Sequence, residues 1–343
     1  MASLLAAAGL SASGGLASGG ASGLQAAWVR WKAAFLAPDG RVVDHRQQEA
    51  SHSEGQGYGL VLSVFFGDQA AFDLIRSWTA QNLTQRPDPL LNWRLIGGQA
   101  AEPMNATDGD LFFAWGLALG ADRFDLPEAR AWALELATAV AERCLVADPR
   151  DPARVLVLPA AEGFLRDARV IVNPSYIMPR ALFDLAALTR DERLAAAALD
   201  GLAFLSELAA SGLAPDWAEV DATGLRASSE HAARFGYDAM RVPLYLIWSG
   251  YPAHPAVAQA RRMYLAHAAQ GVPVVTDLTG SRATETSTFD GFAALRALVT
   301  GEHGSASEIT AHPLDTDQGY YPATLDLMSR LVAAETSAAL FAG

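Results

Sequence analysis

The sequence predicts an all-α protein, a closed ring of helical hairpins carrying one small β-hairpin. Three observations predict it. Apolar residues recur at helical spacing along most of the chain, one short region alone reads as β, and the unusual polar clusters fall where helices begin. A solenoid of the same helix content would show a short fixed repeat, and the sequence has none.

The elements follow in order. The apolar run after Gly59 has the texture of a core helix. Residues 68–83 open on an acidic cap and place Phe72, Ile75, Trp78 and Leu83 near helical spacing. The same pattern returns at 107–121, 126–146, 179–189, 191–211, 228–249, 253–269, 287–299 and 321–341, with Gly, Pro and Asp marking the loops between. Only 153–172 carries two Val/Leu/Ile runs around a glycine turn, which predicts the hairpin. No Gly/Ser/Pro linker divides the chain after residue 24, so 24–343 is expected to form one domain.

The first 23 residues differ. They hold only small and apolar side chains after Met1, and no charge precedes Arg30. The apolar stretch Leu4 to Leu10, followed by small-residue sites such as Leu16-Ala17-Ser18, resembles a secretory signal peptide without its basic start; the other reading is a flexible leader with no targeting role. A periplasmic or secreted location is the expectation. No uninterrupted stretch of 18 apolar residues occurs later.

Of 343 residues, 51% are hydrophobic and 18% charged, a globular composition long enough to bury a large core. The 38 acidic against 25 basic residues leave a net charge of −13, which argues against nucleic acid as a partner. The single cysteine, Cys144, excludes an internal disulfide framework and a cysteine-rich zinc site. Seven scattered histidines form no pair at metal-ligand spacing, so neither a metal nor another cofactor is expected.

Three acidic clusters stand out. Ser51-x-x-Glu54 has capping-box spacing, yet glycines follow at 55, 57 and 59. Such glycines weaken a helix start and can bare the backbone to a close ligand, which is how they are read here. A phosphate loop is the other glycine-rich possibility, but no Lys follows and no strand precedes. In Asn105-Ala-Thr107-Asp108-Gly-Asp110 the same spacing accounts for Asp110 and leaves Asp108 spare at a helix start, where a negative charge is favoured. In Phe235-Gly-Tyr237-Asp238-Ala-Met240-Arg241, Asp238 precedes an apolar helix, which demands a partner such as Arg241 or Tyr237.

Trp93, Trp115, Tyr176, Trp217, Tyr320 and Tyr321 lie in or beside the same loop-to-helix junctions. Each alone is ordinarily a core residue; together they suit sugar rings, whose apolar faces stack on aromatic side chains. Carboxylates and aromatic platforms, with no metal set and no phosphate loop, point to glycoside hydrolysis. That chemistry needs a protonated acid at the leaving oxygen and an ionised carboxylate opposite.

Ser53-Glu54-Gly-Gln-Gly-Tyr-Gly, Ala106-Thr-Asp-Gly-Asp110 and Tyr237-Asp-Ala-Met-Arg-Val242 resemble glycoside hydrolase family 8, and within it the bacterial endoglucanases encoded beside cellulose synthase. The resemblance runs from about residue 24 to the C-terminus, with support at Asn173-Pro-Ser-Tyr176, Pro215-Asp-Trp217 and Tyr320-Tyr321. Phe113 and Gly116 depart from the family signature after its charged positions. The resemblance implies an (α/α)6 barrel that hydrolyses β-1,4-glucan with inversion. By position, Glu54 becomes the general acid, Asp238 the general base, and Asp108 the residue that binds and distorts the sugar at the cleavage point. Arg241 and Tyr237 then flank the base, Tyr176 holds water or sugar, and Trp93 serves as a stacking platform.

An inverting pair should stand about 6.5–9.5 Å apart to admit a water. Like-charge pressure from Asp108 is expected to keep a proton on Glu54, and Arg241 to favour ionised Asp238. The partners expected are a β-1,4-glucan substrate and a functional association with a cellulose synthase complex, with the chain acting as a monomer. The alternatives are the same mechanism on xylan, mixed-linkage glucan or chitosan, or a non-catalytic glucan-binding component of an export machine.

Overall fold

A computed structural model describes residues 18–100, 103–269, 271–302 and 312–341. Within them run eleven α-helices: α1 (Ser18–Phe35), α2 (Ser53–Phe65), α3 (Gln69–Asn82), α4 (Thr107–Phe124), α5 (Pro127–Arg143), α6 (Pro179–Thr189), α7 (Glu192–Ser211), α8 (Arg241–Trp248), α9 (Pro255–Ala266), α10 (Asp290–Thr300) and α11 (Tyr320–Phe341). Their burial sorts them. Nearly every residue of α2 and α8 and the first half of α4 is buried, as is α11 over most of its described side chains. Helices α3, α5, α7, α9 and α10 bury one stripe and wet the other, the pattern of an outer helix resting on an inner one.

The inner helices are neighbours in space: α2 packs on α4 and α8 on α11, while α6, buried along one stripe, bridges α4 and α8. Glycines set the closest of these approaches. A Cβ at Gly57 would lie 2.8 Å from Phe112 Cβ, and one at Gly109 would lie 2.1 Å from Ser53 Oγ and 2.7 Å from the Glu54 nitrogen. At opposite ends of the described chain, α1 packs against α11, where buried Trp31 donates Nε1–H to Thr324 Oγ1 at 2.9 Å. Arg30 adds a bond to the Leu314 carbonyl at 2.8 Å. By length and composition α7 could span a membrane, but it packs Leu194, Phe204 and Leu205 into the core.

Helices thus dominate, as expected, and the elements at 68–83, 107–121, 179–189 and 191–211 match α3, α4, α6 and α7 closely. The single hairpin does not hold. The described residues contain eleven short strands in four antiparallel sheets. The two runs within 153–172 do not pair with each other: β5 (Asp151–Val157) pairs with β4 (Leu145–Asp148), taking residues that had extended the fifth helix. Strand β7 (Arg169–Val172) lies between β6 (Leu165–Arg166) and β8 (Ala218–Asp221), with β9 (Gly224–Ala227) at the edge. Strands β1 (Ser51–His52), β2 (Arg94–Ile96) and β3 (Gln99–Ala100) form a third sheet, and β10 (Val272–Thr276) with β11 (Ala283–Ser287) a fourth.

The helix expected over 228–249 forms only from Arg241. Phe235 exchanges backbone hydrogen bonds with Thr276, and a Cβ at Gly236 would sit 2.5 Å from Asp216 Oδ2. Strand pairing and a tight turn therefore replace the first half of that helix. Of the leader, residues 1–17 lie outside the described residues, while Ser18 to Gly23 begin α1.

Candidate active site

Glu54 and Asp108 each occupy the first turn of an inner helix, α2 and α4, where the helix dipole favours an anion. Neither capping box forms. Helix α2 is capped by His52 without a side-chain bond, and Ser51 Oγ is left buried in β1. Asp110 faces the protein, accepting the Leu91 amide at 2.8 Å and Asn105 Nδ2 at 2.7 Å. It ties the 83–92 loop to α4, and burial pushes its carboxyl up to about 7.

Asp238 sits in the turn ahead of α8. Asp216 shapes that turn from below: its Oδ1 accepts the Ala239 amide at 3.0 Å, and its Oδ2 accepts Arg234 Nε at 3.0 Å. Arg241, the first residue of α8, is buried and collects the acids. Its Nη1 bonds Glu54, reaches Asp108 Oδ2 at 3.4 Å, and donates to Tyr58 Oη at 3.2 Å. Its Nη2 donates to Asp238 Oδ1 at 2.7 Å and to Ser175 Oγ at 2.8 Å. Ser175 is held in turn by Asn173 Oδ1 at 2.7 Å, within the 3₁₀ turn Pro174–Tyr176.

Three carboxyls around one cation cannot all ionise cheaply in a buried setting. Burial first, and Glu54 second, push Asp108 well above the ordinary carboxylate range, with Arg241 opposing. The structure puts the pressure toward holding a proton on Asp108, the more buried neighbour. Asp238 is raised as well, because burial outweighs the pull of Arg241 toward ionisation. Access separates the three: the side chains of Glu54 and Asp238 are 22% and 34% exposed, that of Asp108 only 3%.

The other expected residues divide. Tyr176 is near the cluster; burial, then the charges of Asp108 and Asp238, raise its phenol well above the ordinary value. Trp93 adjoins Glu54 through the backbone, its carbonyl accepting the Ser53 amide at 2.9 Å. The Arg94 guanidinium lies 4.1 Å from its ring centre and the His52 ring 6.0 Å away, so part of its stacking surface is occupied. Tyr237 does not flank the base with its side chain. Its hydroxyl bonds Glu285 on β11, its ring meets Phe292 and Tyr321 edge-on, and its carbonyl accepts the Tyr321 hydroxyl. Trp115 is a core residue, fully buried and bonded to Asp184 at 2.7 Å.

The glycines after Glu54 serve packing. Gly55, Gly57 and Gly59 face Tyr320, Phe112 and Ile75; a Cβ at Gly57 would strike helix α4 at 2.8 Å, and one at Gly55 or Gly59 would be a tight fit at 3.1 Å. All three are buried, so they present no open backbone surface of the kind expected for a sugar. Sequence reasoning missed Tyr58 and Ser175, which bond Arg241, Tyr245, which bonds Tyr58, and Asp216, which holds the turn that carries Asp238. Tyr58, Ser175 and Asp216 stood inside the quoted motifs; their long-range bonds to Arg241 and to the turn before it were the missing signal. Among the described residues no cluster of His, Cys, Asp and Glu could hold a metal ion.

The family model for glycosyl hydrolases family 8 matches residues 2–335. A probable endoglucanase of Novacetimonas hansenii is 34% identical over 334 residues, 95% of each chain. Among solved structures, endo-β-1,4-glucanase CMCax from Acetobacter xylinum superposes with a TM-score of 0.80 at 32% identity, over 92% of this chain and 99% of that one. A family 8 endo-β-1,4-glucanase from an Achatina fulica gut metagenomic library gives 0.82 at 28% identity, over 90% and 97%.

Proposed function

The chain belongs to glycosyl hydrolases family 8, and on that premise we propose that it is an inverting endo-β-1,4-glucanase with Glu54 as general acid and Asp238 as general base. The endo-β-1,4-glucanase activity rests on the family and on relatives of that printed activity. One observation carries the division of roles. Two solvent-facing carboxylates take opposite nitrogens of a single buried guanidinium, while a third lies closed behind. Their attachment to separate nitrogens supports separate roles for the two acids; inversion further needs room for a water between them.

In this reading Glu54 gives its proton to the glycosidic oxygen as the C1–O bond breaks and its electrons pass to that oxygen. Asp238 takes a proton from the water that attacks C1 from the opposite face. Glu54 ends as a carboxylate and Asp238 as an acid, and both exchange protons with solvent before the next turnover. Asp108, buried beside Arg241, keeps the charge there low and meets the sugar at the cleavage point only through its small exposed edge. Tyr176 helps hold the water, and Trp93 offers the sugar its remaining free surface. An (α/α)6 ring is the architecture we infer, supported by the contact of α1 with α11 and by the chain of inner helices.

A glucan polymer cannot cross a lipid bilayer unaided, so we place the enzyme in the periplasm or outside the cell, as a monomer working alongside a cellulose synthase complex. Cell fractionation tests the location.

For the chemistry, Glu54→Gln and Asp238→Asn should each lower release of reducing ends from carboxymethylcellulose by about 10²–10⁴-fold. Wild-type rates would overturn the assignment. Proton NMR on cello-oligosaccharides should show the α-anomer first; initial β-anomer contradicts inversion. A panel of β-linked polysaccharides fixes the natural polymer.

A further inference from the structure

We propose that the buried hydroxyl pair of Tyr58 and Tyr245 releases Glu54 from Arg241 as a neutral acid; this rests on the reading of Glu54 as proton donor. Arginine is a donor only, so Tyr58 Oη, 3.2 Å from Arg241 Nη1, accepts from it. Tyr58 Oη also shares a hydrogen bond with Tyr245 Oη, in which either hydroxyl can be the donor. Neither hydroxyl is free to turn elsewhere. Both residues are 1% exposed, and Phe112 packs its ring edge-on to Tyr58 at 4.8 Å and tilted against Tyr245 at 5.2 Å.

Nη1 carries two hydrogens and faces three acceptors: Glu54, Asp108 and Tyr58. When Glu54 takes up a proton and turns to the glycosidic oxygen, two hydrogens remain for two acceptors. Both Nη1 hydrogens then stay satisfied; the buried Nε–H of Arg241 has no partner in either arrangement. Without the Tyr58 hydroxyl, the same movement would strand one N–H in a buried site, and Glu54 would be held as the carboxylate partner of Arg241. Tyr58 is thus a positioning residue that acts through Arg241, and Tyr245 fixes its orientation.

The test uses two aryl β-cello-oligosaccharides, one with a dinitrophenolate leaving group that departs without a proton and one with a phenolate that needs it. Tyr58→Phe is expected to lose about ten- to hundredfold in kcat on the phenyl substrate, part of the ~10²–10⁴ that general acid catalysis supplies. It should stay near wild type on the dinitrophenyl substrate, with KM unchanged on both. Tyr245→Phe should show the same pattern more weakly, and keeps the test open if Tyr58→Phe folds poorly. Glu54→Gln is the reference. If Glu54→Gln depends on the leaving group while both tyrosine variants lower the two substrates equally, or neither, the tyrosine role is wrong. If Glu54→Gln shows no such dependence, the acid assignment itself falls.

Discussion

At the residue scale, Asp238 has to be ionised to accept a proton from water, and its surroundings pull in two directions. Burial disfavours the charge and Arg241 favours it, with burial prevailing. Raising the value moves the onset of activity to higher pH, so the acidic limb of kcat/KM should lie above about pH 4, the ordinary aspartate range. A limb at or below that range would mean that Arg241 outweighs burial. Asp110 makes the opposite kind of statement, about stability. Its carboxyl titrates at about 7 when folded and at about 4 when unfolded, so the folded state binds the extra proton between those values. Stability is fully present below about pH 4 and declines as pH rises through 7, by up to roughly 4 kcal/mol from this group alone. Asp110→Asn loses the Asn105 contact and the proton together; its denaturation midpoint should be lower at pH 4 and vary less from there to pH 7 than that of the wild type.

At the element scale, the α2–α4 contact decides where two of the acids stand. Alanine exceeds glycine in helix propensity by about 1 kcal/mol, which on its own would make Gly57→Ala stabilising. The Cβ would lie 2.8 Å from Phe112 Cβ and 2.9 Å from the Phe113 nitrogen, and overpacking of that kind costs about 1–3 kcal/mol. A net loss of up to about 2 kcal/mol is expected in urea denaturation. Gly109→Ala should do more, because its Cβ would strike Ser53 and the Glu54 nitrogen. Activity should fall further than stability in that variant, and equal losses would show that the contact does not place Glu54.

At the scale of the whole molecule, the first helix supports a site to which it gives no side chain. Trp31 is fully buried, bonds Thr324 on α11, and packs its ring against Tyr320, the residue that faces Gly55. Trp31→Ala is expected to cost about 3–5 kcal/mol, read by chemical denaturation, and to lower glucan hydrolysis with it. Unchanged activity at full loss of stability would separate α1 from the site.

Much of this was legible in the chain itself. Helices α3, α4, α6 and α7 announce themselves by local periodicity, and α3 and α7 also by aspartate caps, signals that depend on neighbours a few residues away. Glu54, Asp108, Asp238 and Arg241 stand out because charge beside an apolar helix start is costly without a purpose, and the family follows from the same motifs. Tertiary structure decided what local pattern cannot carry. Phe235 could have continued a helix, but its hydrogen bonds go to Thr276. Ser51 and Thr107 had the spacing of caps, yet the chain enters α2 through β1 and α4 through a bond from the Thr107 amide to the Pro159 carbonyl. The glycines after Glu54 resemble a ligand surface in one dimension and are a helix contact in three. Tyr237 neighbours the base in sequence but turns to Glu285, while Tyr58, 183 residues from Arg241, supplies the partner. Residue types and periodicity determine which groups are present and which helices form; long-range packing alone determines which of them share one guanidinium.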